Sequence, residues 1–187
     1  MKGLDEFLTF DTGEEIQKLI KSYGNDSPRG AILIAVAQLD RVLHDALKYL
    51  FREGRTSKSL LKDGSGLLGG MRARLDVLYA MGYLHKEEFS RLSKMGEVRN
   101  AVAHDSELFD FGPFETITLE LVAEKDFPPE ITEEAPYFQF LSCVISETVA
   151  LRHVLEIVRE HELPLTRHVR HALRELSARH LRTNGGE

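Results

Sequence analysis

The residues of this chain best suited to chemistry lie in one short segment, Arg99 to His104. Arg99 supplies a permanent positive charge, Asn100 an amide that can orient a neighbour, and His104 an imidazole that titrates near neutral pH. Asn100 and His104 are four residues apart, so on a helix they lie on the same face. Arg99 and His104 are five residues apart, roughly 140° around the helix axis, an angle that a long arginine side chain can bridge. The segment therefore predicts that a cation, an amide and an imidazole converge at one helix end.

A purely structural role is consistent with the same spacing. Arginine and histidine in the last turn of a helix stabilise the negative end of the helix dipole, whether or not they bind anything else. Glu97 and Asp105 are the nearest carboxylates in sequence that can pair with the arginine. The spacing alone leaves both roles open.

The composition limits the classes of function that the chain can have. Its 187 residues are enough for one domain with a buried core, and its net charge of -6 argues against nucleic-acid binding through bulk charge. The single cysteine, Cys143, excludes a disulfide framework and a cysteine zinc site, and its apolar surroundings predict a buried thiol. Residues Met1 to Phe7 lack the features of a signal peptide, and no apolar stretch approaches the length of a membrane span. We therefore expect a cytoplasmic protein that needs no cofactor or metal.

Apolar residues at helical spacing predict an all-α protein, a multi-helix bundle with at most one short strand or hairpin. The three longest helices are expected at Gly30 to Phe51, Lys86 to His104 and Pro136 to His161. Ser27 is placed to cap the first of them. Gly82 is placed to end a shorter helix that precedes the second.

Three further segments show other patterns. Ile32 to Ala37 is apolar nearly all round, which predicts a central, buried helix. Thr116 to Val122 alternates at period two, which predicts one short strand or extended segment. The glycine-rich segment Arg52 to Gly70 has no lysine–serine pair after its glycines, so we do not expect a phosphate loop. Its expected anchors are four leucines, Leu60, Leu61, Leu67 and Leu68.

The whole chain, residues 1–187, is expected to form a single domain, with helices also in residues 1–26 and a basic helix appended in residues 163–187. The basic helix is either a solvated surface or a contact for RNA or an acidic partner.

A helix-turn-helix around Gly82 is rejected, because Glu88 occupies the position where the second helix needs an apolar residue. We therefore expect no sequence-specific DNA binding by the protein alone, and no membrane binding.

Several segments in a consistent order resemble the mannitol operon repressor family. They are Arg29 to Val36, Phe51 to Glu53, Gly66 to Gly69, Arg74 to Gly82 and Gly112 to Phe114. The resemblance implies an all-helical transcriptional regulator that represses a sugar-alcohol uptake operon without an obvious DNA-binding motif. Repression through protein contacts is then the natural expectation.

The arginine–polar–three residues–histidine pattern of Arg99, Asn100 and His104 is also similar to the signature of the HEPN superfamily. That resemblance implies a helical bundle, often dimeric, in which many members cleave RNA without a metal. Arg99 would then stabilise a pentacovalent phosphate, His104 would transfer the proton, and Asn100 would orient them.

We favour the regulator. The alternative is a metal-independent ribonuclease whose catalytic residues are Arg99, Asn100 and His104. A protein partner or a homodimer is expected in the first case, and RNA in the second. Phenylalanines in the segment after His104 form an aromatic cluster that a monomer would expose. The residues expected to contact a partner are Glu97, Arg99, His104, Asp105, Phe109, Phe111 and Phe114.

Overall fold

The computed structural model describes residues 27–104, 110–123 and 135–160. This part of the chain is 81% helical and contains no strand, and its six helices pack together, which confirms the predicted all-α bundle. The helices are α1 (Pro28–Leu50), α2 (Arg55–Leu60), α3 (Met71–Ala80), α4 (Lys86–His104), α5 (Glu115–Ala123) and α6 (Pro136–Glu160), with a short 3-10 turn (Gly112–Phe114) before α5. The predictions made for residues 1–26, Asp105, Phe109 and residues 163–187 fall outside these ranges. None of the described helices is long and apolar enough to span a membrane.

Helix α1 connects most of the bundle, because it packs against α3, α4 and α6. Its start is capped as predicted: the Ser27 hydroxyl accepts a hydrogen bond from the Gly30 N–H at 3.1 Å, and Pro28 occupies the first turn. The prediction that Ile32 to Ala37 belongs to a central helix agrees with this packing, since Ile32, Ala35 and Val36 are at most 2% exposed. The segment is not buried on every side, however, because Ile34 keeps 42% of its surface exposed.

Helix α6 is the most deeply buried element. It packs against α1 and α5, and between Gln139 and Val149 every residue but Ser146 is buried. Cys143 is a free, fully buried thiol, as the sequence predicts. A helix that is apolar on several sides belongs in the centre of a bundle, and α6 has that position here.

The short strand predicted at Thr116 to Val122 was wrong, because this segment forms helix α5. A lone strand would leave its backbone groups without partners in an otherwise helical fold, whereas a helix pairs them locally. Thr118 and Leu121, three residues apart, are buried, and the Thr118 hydroxyl donates a hydrogen bond to the Phe114 carbonyl at 3.0 Å. Packing against α6 therefore overrides the alternating pattern.

The glycine-rich segment is tied to the bundle by a buried arginine, Arg74 of α3, which is 2% exposed. Its Nε donates to the Leu68 carbonyl at 2.8 Å, and its Nη2 donates to the Asp63 carboxylate and to the Gly69 carbonyl. Its Nη1 forms an ion pair with Asp40 of α1 at 2.7 Å. One side chain thus fixes the loop against both α1 and α3.

Close backbone packing explains two glycines of this segment. A Cβ atom at Gly66 would lie 2.3 Å from the Leu60 carbonyl oxygen, and one at Gly69 would lie 2.7 Å from the Lys62 carbonyl oxygen. Leu61 and Leu68 anchor the segment, but the prediction that Leu67 does so was wrong, because Leu67 is 81% exposed.

The turn between α3 and α4 has the predicted glycine. Gly82 adopts a positive φ of 76°, and the Tyr83 N–H donates to the Leu78 carbonyl at 2.9 Å, which closes α3. At the start of α4, the Glu88 carboxylate accepts a hydrogen bond from the His85 N–H at 2.8 Å. Glu88 is buried with 2% exposure because it caps this helix, a role that the sequence analysis did not assign to it.

Candidate functional site

Helix α4 presents one apolar face to the core and a polar face to solvent. Its bounds, Lys86–His104, are those predicted from the sequence. Leu92, Met95, Val98 and Val102 are at most 1% exposed, and their spacing of three and four residues fixes the rotation of the helix. The residues of the last two turns that this rotation leaves exposed are Glu97, Arg99, Asn100, Ala101 and His104.

Two ion pairs hold α4 against the C-terminal half of the bundle. Arg91 Nε lies 3.0 Å from Glu147 Oε1 of α6, and the two side chains are 12% and 1% exposed. Lys94 Nζ lies 2.8 Å from Glu120 Oε2 of α5, at the surface. Because the Arg91–Glu147 pair is buried, it restricts how α4 can slide or rotate against α6.

The polar end of α4 is partly pre-arranged. Arg99 Nη1 donates a hydrogen bond to Asn100 Oδ1 at 2.9 Å, so the amide restricts the orientation of the guanidinium. His104 is exposed one turn after Asn100 on the same face. No hydrogen bond or ion pair joins Arg99 to His104, both of which the structure describes. The structure therefore brings Arg99 and Asn100 together, and places His104 beside them without direct contact.

A second arginine reaches this end of α4 from another helix. Arg29, in the first turn of α1, donates a hydrogen bond from Nη2 to the Ala103 carbonyl oxygen at 3.1 Å. The sequence analysis did not assign Arg29 to the site. The two residues are 74 positions apart, so no local pattern connects them. The contact shows that the start of α1 lies beside the end of α4.

The aromatic cluster expected to contact a partner is arranged differently from the prediction. Phe111 and Phe114 are only partly exposed and pack against the core, with their ring centres 5.7 Å apart. The Phe111 ring also lies 6.0 Å from Tyr137 and 5.9 Å from Phe140, both at the start of α6. The prediction that a monomer exposes these rings was wrong for Phe111 and Phe114, because both pack against the buried core and Phe111 also contacts α6.

Elsewhere among the described residues, cavities and side-chain clusters offer few other candidate binding sites. A small apolar cavity lies between α1, α3 and α6, and residues such as Leu43, Leu78 and Leu151 line it. No cluster of three or more histidine, cysteine, aspartate or glutamate side chains suited to a metal occurs in the three described ranges.

The chemical capacity of the α4 end follows from its exposed groups. An oriented guanidinium can bind carboxylate or phosphate oxygens through paired hydrogen bonds, and an exposed imidazole can donate or accept a hydrogen bond. Glu97 adds a negative charge to the same surface.

The chain matches no protein-family model, no curated protein and no solved structure.

Proposed function

We propose that this protein is a non-enzymatic regulator of the kind that the mannitol operon repressors represent, and that it acts through protein contacts. The contact surface is the C-terminal turn of α4, with Arg99, Asn100 and His104 at its centre. The proposal rests mainly on one observation: Arg99 is exposed and oriented by Asn100 on a helix whose opposite face is fixed in the core. A side chain held in place before binding loses less conformational entropy when a partner arrives.

The charges around Arg99 favour a protein partner. Glu97 and Arg99 are both exposed and carry opposite charges at the two edges of the exposed face of α4, on either side of the buried Val98. A protein surface can complement both signs, and arginine is enriched among residues that dominate such interfaces. A nucleic-acid backbone would be repelled by Glu97 and by the net charge of -6. The partner is another protein, and a second copy of this chain is one such partner.

Metal-independent RNA cleavage is the second candidate, and the Arg99–Asn100 hydrogen bond is the observation that favours it. In this mechanism the oriented guanidinium would stabilise the charge on a pentacovalent phosphate. His104 would accept the proton of the attacking 2′-hydroxyl or donate one to the leaving oxygen. Both candidates use the same surface, but only this one needs His104 to transfer a proton.

The regulatory proposal can be tested in host cells that lack the gene. Transcripts of the sugar-alcohol uptake genes are measured after complementation with wild type, Arg99→Ala or His104→Ala. We expect these transcripts to rise in the deletion strain, to fall with wild type, and to remain high with both variants. Arg159→Ala is the matched control, because Arg159 is an exposed arginine that contacts α1 through the Asp45 carbonyl. Full repression by Arg99→Ala and His104→Ala would overturn the proposal.

A further inference from the structure

The Ala103 carbonyl lies in the last turn of α4 that the structure describes, directly before His104. Its partner is the guanidinium of Arg29, at 3.1 Å, in a partly buried position. A positive charge at this point also stabilises the negative end of the helix dipole. The contact therefore brings both a hydrogen-bond donor and a positive charge to this end of α4.

Arg29 is well placed to act as a fixed support. It directly follows Pro28 in the first turn of α1, where the Ser27 carbonyl accepts the Ala31 N–H at 2.9 Å. Ala31 and Ile32, two and three residues after Arg29, are completely buried. The backbone from which the arginine extends is therefore held by the core.

Because the peptide group is planar, the Arg29 contact also constrains the backbone of His104. The Ala103 carbonyl and the His104 nitrogen belong to one planar peptide unit, so a constraint on the carbonyl oxygen also constrains the backbone that carries His104. On the other side, Val102 is fully buried and fixes the preceding residue. Without the Arg29 contact, the backbone of Ala103 and His104 would lose this constraint.

We propose that Arg29 is the positioning residue of this surface: by holding the Ala103 carbonyl, it fixes the direction in which His104 projects. The inference rests on the proposed function of the α4 end, and it adds a residue from α1 to that surface. Arg29 acts through the backbone of α4, and it is not required to touch the partner itself.

Hydrogen exchange of the full chain, followed by NMR at single amides, tests the structural part of this inference. Arg29→Met keeps the length of the side chain but removes the donor, whereas Arg29→Lys keeps one. Loss of a hydrogen bond from a charged donor should make the amides of Val102, Ala103 and His104 exchange about tenfold faster in Arg29→Met. Arg29→Lys should stay within about threefold of wild type, because an ammonium can still donate to the carbonyl.

Arg159→Met provides the matched control for exchange. Arg159 Nη2 donates to the Asp45 carbonyl at 3.3 Å, which is the same kind of contact between two helices at another place in the bundle. This variant should leave exchange at the end of α4 unchanged. Equal exchange in Arg29→Met and wild type would overturn the inference. A general loss of the fold in Arg29→Met would also overturn it. If Arg29 only holds the end of α4, the core must stay folded when its hydrogen bond is removed.

The functional part is tested by a double-mutant cycle in the complementation experiment. Arg29→Met should repress less well than wild type, and Arg29→Met combined with His104→Ala should be no worse than His104→Ala alone. A role limited to general stability would instead make the two changes additive. If His104→Ala represses normally, the proposed function fails. If His104→Ala fails to repress but Arg29→Met represses normally, only the inference about Arg29 fails.

Discussion

Three arginines of this protein have different environments, and they should respond differently to substitution. Arg74 is 2% exposed and bound to carboxylates and carbonyls, and Arg91 pairs with a buried glutamate. Arg99 is exposed and hydrogen-bonds to an exposed amide. Removal of Arg74 or Arg91 would delete contacts in which at least one side chain is buried, whereas removal of Arg99 would delete only an exposed hydrogen bond. Arg99 is therefore the arginine whose loss can affect function without affecting the fold.

The stability of the Arg99 and His104 variants follows from this difference. Arg99→Ala and His104→Ala should each lower the free energy of unfolding by no more than about 1 kcal/mol, the usual effect of a cation at a helix C-terminus. Urea unfolding followed by circular dichroism measures this change. A loss of several kcal/mol in both variants would mean that the two residues are structural.

Some features of the site could be predicted at the residue level, and others could not. The spacing of Arg99, Asn100 and His104 indicated a shared helix end because helical geometry is local. The burial of Phe111 depends on α6, and the Arg29 contact joins positions 74 residues apart, so neither follows from neighbouring sequence.

At the scale of elements, α4 packs against α1 and α3 and is joined to α6 by the Arg91–Glu147 ion pair. The Arg91–Glu147 pair is buried, whereas Glu120 in the Lys94–Glu120 pair is 54% exposed. Glu147→Ala should lower the free energy of unfolding by about 3–5 kcal/mol, because it leaves a partly buried arginine without its carboxylate. Glu120→Ala should cost less than about 1 kcal/mol, as is usual for surface pairs.

Urea unfolding of the two variants side by side measures this difference. Glu120→Ala controls for the loss of a carboxylate that contacts α4, since it differs from Glu147→Ala mainly in burial. Equal and small effects in both variants would show that the buried pair does not hold α4 in place.

The hydrophobic pattern of the sequence predicted the long helices correctly and the short helix α5 incorrectly. Helices α1, α4 and α6 are long, so several turns of apolar residues at helical spacing support each prediction. Helix α5 has only nine residues, and an alternating pattern over so short a segment does not separate strand from helix. Its conformation is decided by the absence of a strand to pair with in the described bundle and by packing against α6.

At the scale of the whole molecule, the described helices form a buried apolar interior and leave the polar C-terminal end of α4 exposed. Helices α1 and α6 provide most of the buried apolar residues, and α4 packs on α1 so that its last turn stays at the surface. The chain carries 30 acidic and 24 basic residues, which favours a protein over a polyanion as the partner of that surface. We therefore propose that the Arg99–His104 turn binds a protein and does not cut RNA.

An RNA cleavage assay tests this claim most directly. Purified wild type, Arg99→Ala and His104→Ala are each incubated with end-labelled single-stranded RNA in the presence of a metal chelator, and the products are separated by size. We predict that the RNA stays intact with all three proteins. Cleavage by wild type that is abolished in both folded variants would contradict the account, because a catalytic pair fails when either member is removed.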